Sequence, residues 1–284
     1  MSTTLFASKA VRILSLNLPH WKRFSMSPRT PWHLIFKQLV REASGCASYI
    51  VGSKEGGVCA VIDPLMDSER FFFELQTTRL KPIYVLETHT HADHISGARE
   101  FARLSQARLY LSEKSRAKFS FTPLEDNGTL ELGETTIRAI HTPGHTPDHM
   151  SLLVGRRLLS GDSLLVGDVG RADLGGDPEL LFESLYSKLL KLEDEVEVYP
   201  AHVGGHHYLG ANGSSTIGHE KKTNPALQCK TREDFLRYMS EGWPPKPEHY
   251  QTIVAVNLGK RSLLRAQQDV MMRTGGRMAA KAQG

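Results

Sequence analysis

The sequence predicts an α/β layered domain. Two observations carry that expectation. Short runs rich in β-branched and other apolar residues alternate with helical stretches, and His and Asp residues recur just past the ends of those runs. Strands that alternate with helices and hairpins pack as helices on sheets. The expected strands are Ser48 to Val51, Val58 to Ile62, Ile83 to Glu87, Arg108 to Leu111, Thr136 to Ile140, Met150 to Val154 and Val196 to Tyr199. The expected helices are Ser68 to Thr77, Ile95 to Leu104, Pro178 to Leu192 and Arg232 to Met239. In the third, Asp177 is placed to cap the helix and Pro178 to occupy its first position.

A chain of 284 residues can form one large domain or two small ones, with a sizeable core. No run of 18 apolar residues occurs, so no membrane-spanning helix is expected. The net charge of +4 hides a division. Residues 1–41 carry seven Lys and Arg and no acid, whereas residues 42–258 carry 22 basic and 30 acidic residues. The basic pI of about 8.9 belongs to the ends and gives no argument for a nucleic-acid partner. We expect the fold over 26–258, a disordered or targeting leader over 1–25 and a basic tail over 259–284. The leader has the basic, acid-free, Ser-containing make-up of an organellar transit peptide. The preferred reading is a leader ahead of a fold that begins near Met26, in a cytoplasmic protein, with an organellar matrix as the alternative. The three cysteines, Cys46, Cys59 and Cys229, form no CxxC pair, which suggests a reducing compartment. Cys46 and Cys59 flank apolar runs and are expected to be buried and inert.

The most informative run is Thr88-His-Thr-His-Ala-Asp-His94, which gathers His89, His91, Asp93 and His94. Three imidazoles and a carboxylate at that spacing point to a metal, because neutral imidazole is the commonest side-chain ligand. Further candidates follow at strand ends: His145 after Thr142-Pro-Gly, Asp162 after Leu158-Leu159, and His202 after Pro200-Ala201. Loops that converge at one rim would build a site from residues that are individually unremarkable.

These residues resemble the metallo-β-lactamase superfamily. Its His-x-His-x-Asp-His motif is met by His89, His91, Asp93 and His94, and its later ligands by His145, Asp162 and His202. The resemblance covers residues 45–225 and implies an αββα sandwich with metal at the sheet rim. Within the superfamily, Gly161 to Asp173 and Ser214 to Pro225 resemble the persulfide dioxygenase (sulfur dioxygenase) family, and more distantly hydroxyacylglutathione hydrolase (glyoxalase II). The first resemblance implies one Fe(II) per chain on His89, His145 and Asp162, with glutathione persulfide and O₂ as substrates. His91, Asp93, His94 and His202 would then orient those ligands. The second implies two Zn(II) per chain, using all seven positions to hydrolyse a glutathione thioester. Ligand types alone do not separate the two. Arg171 is a candidate for substrate binding, or for a structural pair with Asp173 or Asp168, and Tyr208 is a candidate for the groove wall. His141 and His149 are expected to support their loop. The 59 residues after Pro225 are too few for a fused rhodanese domain. A homodimer is the assembly carried as an expectation.

Overall fold

A computed structural model describes residues 34–41, 44–203 and 213–262. The leader, Tyr208 and all of the tail beyond Ser262 lie outside these residues. Two six-stranded sheets face each other. The first is ordered β1 (Leu34–Val40), β2 (Ala47–Ser53), β3 (Val58–Ile62), β4 (Lys81–Leu86), β5 (Arg108–Ser112) and β6 (Thr122–Leu124). The second is ordered β12 (Ser215–Thr216), β11 (Glu197–Pro200), β10 (Arg157–Gly161), β9 (Met150–Val154), β8 (Thr135–His141) and β7 (Thr129–Leu132).

Alternation along the strands decides which layer each side chain enters. Tyr49, Val51, Ala60, Ile62, Leu152, Val154 and Leu159 point between the sheets into one core. Their neighbours Ile50, Cys59 and Val61 point outward, under α1 (Ser68–Thr78) and α2 (Ala98–Ser105), against Phe71, Leu75 and Phe101. Leu158 and Val198 point outward from the second sheet, under α3 (Pro178–Ser187), α4 (Ile217–Thr223) and α5 (Arg232–Ser240). Strands covered on both faces need apolar residues on both, which is why β2 and β3 read as continuous apolar runs. The result is the expected αββα sandwich.

Two expected helices are shorter than their patterns. The second begins at Ala98, because Ile95 to Gly97 belongs to a loop: Ser96 bridges Leu65, and the Gly97 N–H donates to the Pro64 carbonyl at 2.7 Å. A Cβ on Gly97 would sit 2.1 Å from the Leu65 carbonyl oxygen, so only glycine fits that approach. The third is capped as expected, with Asp177 accepting from the N–H groups of Glu179 and Leu180, but it ends at Ser187 and resumes as one 3₁₀ turn, Leu189–Lys191. The sequence pattern missed β1, the short strands β6, β7 and β12, and two helices, α4 and α6 (Tyr250–Asn257).

The four ligand-bearing strands are divided between the two sheets. β4 belongs to the first sheet, whereas β8, β10 and β11 are parallel to one another in the second. Their C-terminal ends meet because backbone bonds tie the layers there. The Met150 N–H donates to the Thr88 carbonyl at 2.8 Å, and the Ala47 N–H to the Ala201 carbonyl at 2.7 Å.

Phe101 is fully buried, with Phe71 and Phe72 rings 5.7 and 5.0 Å away. Phe101→Ala is therefore expected to cost about 3–5 kcal/mol in chemical denaturation, at the upper end for point substitutions.

Candidate metal centre

Three ligand atoms converge: one nitrogen each from His89 and His145, and a carboxylate oxygen of Asp162, all within 4.8 Å of one another. Asp162 Oδ2 lies 3.8 Å from His89 Nε2 and 3.6 Å from His145 Nε2, too far for hydrogen bonds. His89 Nε2 is buried without any hydrogen-bond partner. A buried polar nitrogen left alone is costly, and a cation between these three atoms would satisfy all of them. The donor set suits a first-row divalent metal on one face of its coordination sphere.

The local structure aims each ligand. His89 Nδ1 lies 2.9 Å from Thr88 Oγ1, whose hydroxyl donates to Asp63 Oδ2 at 2.8 Å. The hydroxyl proton is thus committed to Asp63, so His89 Nδ1–H must donate to Thr88 and Nε2 keeps its lone pair. Asp63 is itself fixed by the Thr88 N–H, at 2.6 Å. His145 Nδ1–H donates to the Arg171 carbonyl at 2.6 Å, which turns its Nε2 lone pair inward. Asp162 is held through its N–H, which donates to His149 Nε2 at 2.9 Å, and through Oδ1, which accepts from His202 Nδ1 at 2.9 Å. His149 must therefore carry its proton on Nδ1, near Thr142 Oγ1 at 2.8 Å. It supports the loop as expected, whereas His141 is only partly buried and offers its backbone N–H to Asp126, outside the centre. Gly170 completes the wall: a Cβ there would fall 1.7 Å from the Asp162 carbonyl oxygen.

Charge follows the same pattern. Burial, reinforced by neighbouring His91, holds the His89 imidazole well below its usual range, so it is neutral and free to ligate. Burial pushes Asp162 up, but His202, His145 and His89 outweigh it and keep the carboxylate well below its usual range.

The other four candidates are arranged differently. His202 contacts carboxylates with both ring nitrogens, Asp162 Oδ1 and Asp93 Oδ2, each at 2.9 Å. Both nitrogens then donate, and the two carboxylates lift the ring well above its usual range against the effect of burial. His94 Nδ1 lies 3.1 Å from Asp93 Oδ2. His91 Nε2 faces away, 3.5 Å from Asp63 Oδ1 and 3.7 Å from Glu87 Oε2. Arg171 is buried, and its guanidinium fork grips Asp173 at 2.6 and 2.8 Å, the structural pairing of the two expected for it. Tyr208 lies outside the described residues.

Three residues near the centre escaped sequence reasoning. Cys46 is buried as expected, and it sits among polar groups: its sulfur lies 3.3 Å from Asp93 Oδ2 and 3.6 Å from His202 Nε2. Burial pushes this thiol up, yet His202 and His94 outweigh it and bring it down to about 6. Cys59, by contrast, is pushed up to about 12 by burial. Asp63 follows β3 directly, so an acid just past an apolar strand was the available signal. Asn257 gave no signal. From α6 its Nδ2 donates to the carbonyls of His91 and His94, both at 2.9 Å, and its Oδ1 accepts from the Ser96 N–H at 3.0 Å.

Hollows approach the centre from two sides. One of about 470 Å³ lies behind His89, between α2 and β5, and touches neither His145 nor Asp162. The side that reaches both is narrower, lined by Asp93, His145, Asp162, Arg171 and His202.

The metallo-β-lactamase superfamily model matches residues 41–203. "Persulfide dioxygenase ETHE1, mitochondrial" of Bos taurus is 27% identical over 242 residues, covering 84% of this chain and 92% of that protein. The crystal structure of ETHE1 from Myxococcus xanthus superposes with a TM-score of 0.72 at 32% identity, over 79% of this chain and 98% of that one. A hydroxyacylglutathione hydrolase of Rhodopseudomonas palustris is 31% identical over 70% of this chain and 76% of its own.

Asn257→Ala would leave two loop carbonyls unpaired. We expect a stability loss of about 1–3 kcal/mol and a roughly tenfold weaker hold on metal, read by denaturation and by chelator competition. The chain belongs to the metallo-β-lactamase superfamily.

Proposed function

We propose that this protein is an Fe(II)-dependent persulfide dioxygenase that oxidises the outer sulfur of glutathione persulfide to sulfite and releases glutathione. One observation carries the reading. His89, His145 and Asp162 form a converging two-histidine, one-carboxylate set, whereas Asp93 and His94 converge with the Cys46 sulfur and His91 with Asp63 and Glu87, groups of a different donor make-up. The similarity to ETHE1 proteins supports the same reaction class. Iron held by that triad supplies redox chemistry and open positions for sulfur and O₂, which zinc, having no redox chemistry, does not.

The reaction balances as one persulfide, one O₂ and one water giving one glutathione and one sulfurous acid, which ionises to sulfite. The protein's part is positional. His89 and His145 present lone pairs fixed by Thr88 and the Arg171 carbonyl. His202 supplies protons to both Asp162 and Asp93, which compensates two carboxylates in a buried place. Arg171, clamped on Asp173, holds the wall from which its carbonyl orients His145.

A dinuclear zinc hydrolase would draw on His91 Nδ1, buried without a hydrogen-bond partner beside the His89 ring, and would need Asp93, His94 and His202 to release their mutual bonds. The arrangement favours the iron reading. Among the described residues no helix is long and apolar enough to cross a membrane. The acid-free residues 1–25 and the mitochondrial naming of the bovine relative support an organellar compartment.

With glutathione persulfide, O₂ uptake in an oxygen electrode is expected to equal sulfite release. Rapid hydrolysis of a glutathione thioester without O₂ uptake would overturn the assignment.

A further inference from the structure

We propose that Glu220 and Asn224 are positioning residues of the metal centre: they clamp the turn that carries the Arg171 carbonyl, and through that carbonyl they aim His145. His145 is a ligand in both the one-metal and the two-metal arrangement, so the clamp is independent of the reaction proposed above.

Glu220 is a buried acid that the centre as described does not use. It lies wholly inside, on α4, the helix whose Ile217 packs with Leu164, Val169 and Phe235. Among the described residues it has no ion pair, and its Oε1 has no hydrogen-bond partner. A carboxyl group in such a place is costly, and an apolar side chain of similar volume would fill the space without that cost. Stability alone therefore does not account for it. Its other oxygen has two specific partners: Oε2 accepts from the Gly167 N–H at 2.9 Å and from Asn224 Nδ2 at 2.8 Å.

Asn224 lies four residues further on, on the same helical face. It is also fully buried, and all its side-chain polar atoms are in use. Nδ2 donates to Glu220 Oε2 and to the Asp168 carbonyl, both at 2.8 Å, and Oδ1 accepts from the Ala226 N–H at 3.1 Å. The two residues thus grip consecutive positions, Gly167 and Asp168, of one tight turn. That turn is closed by a bridge between Leu164 and Val169 and by the Leu165 N–H, which donates to the Asp168 carbonyl at 3.0 Å. From α5, the Tyr238 hydroxyl donates to Asp168 Oδ1 at 3.0 Å.

The turn joins two parts of the centre. Asp162 precedes Leu164 by two residues, and Arg171 follows Val169 by two. Gly170 lies close against the Asp162 carbonyl, so the two limbs are in register. The Arg171 carbonyl then accepts from His145 Nδ1 at 2.6 Å. The Arg171 fork on Asp173 is internal to the loop and fixes it to nothing else. Two further ties reach the far limb: Arg171 Nη1 to the Pro245 carbonyl at 3.4 Å, and the half-exposed Lys246 Nζ to the Asp173 carbonyl at 2.9 Å. The first is long and the second solvated, so the buried reference for the loop is α4. The Ser214 to Pro225 segment, which supplies no ligand, gains a role in this way.

The test is Co(II) binding by the full chain, stripped of metal and titrated against a chelator, with the ligand-field bands of the bound ion reporting its geometry. Three variants are compared with wild type: Glu220→Gln, Glu220→Leu and Asn224→Ala. Glu220→Gln keeps an oxygen for Gly167 and Asn224 and puts its amide nitrogen where Oε1 has no partner. It is expected to retain the wild-type bands and a Kd for Co(II) within about threefold. Glu220→Leu removes the acceptor of both donors and is expected to bind Co(II) about tenfold more weakly, with shifted bands. Asn224→Ala is expected to behave like Glu220→Leu, and it decides the matter if the leucine variant does not fold. A folded leucine or alanine variant whose denaturation midpoint falls while its Co(II) affinity and bands stay those of wild type overturns the proposal, because the two residues then support only the fold. An equal loss in Glu220→Gln and Glu220→Leu also overturns it, because the clamp acts through hydrogen bonds that glutamine preserves.

Discussion

The centre depends on two hydrogen bonds made by the far sides of its imidazoles. His89 donates to Thr88, which is committed to Asp63, and His145 donates to the Arg171 carbonyl. Each bond fixes which nitrogen carries the proton, and so which lone pair faces inward. Without them either ring could present a proton where a cation must sit. The bonds in turn require the sandwich. Asp63 stands at the end of β3, beside β4 in the same sheet, while Arg171 lies in the loop that follows β10 in the other.

Charge compensation explains the rest of the buried polar groups. Asp162, Asp93, Asp63 and Glu87 lie close together around the centre, and lone buried carboxylates are expensive. His202 lies between two of them and His91 between the other two. On the proposed single-metal reading these two histidines serve as counter-charges. Glu87 shows how far the compensation goes: burial pushes it up to about 7, against the pull of His91. Cys46 joins the same group, its sulfur against Asp93, His94 and His202.

Much of this was legible in the sequence, for a physical reason. Strands covered on both faces must be apolar throughout, so β2, β3, β4 and β9 stood out. A metal loop concentrates its donors, so His89 to His94 announced itself, and the later ligands fell at the ends of recognisable strands. What stayed hidden was orientation and distance along the chain. Nothing in the residue types says that His91 turns toward Asp63 and Glu87 while His89 turns inward, because that depends on which hydroxyl lies behind each ring. Asn257 reaches back 166 residues to the His91 carbonyl, and Cys46 lies 156 residues from His202. Such pairings follow only from the way the two sheets close.

The central claim is that three residues, and not six or seven, hold one redox-active ion. Metal analysis of the full chain purified anaerobically tests it most directly, with activity followed as metal is removed and restored. About one iron per chain is expected, as a facial triad demands, with turnover rising in proportion to iron. Two zinc ions per chain, with activity that follows zinc, would contradict the account.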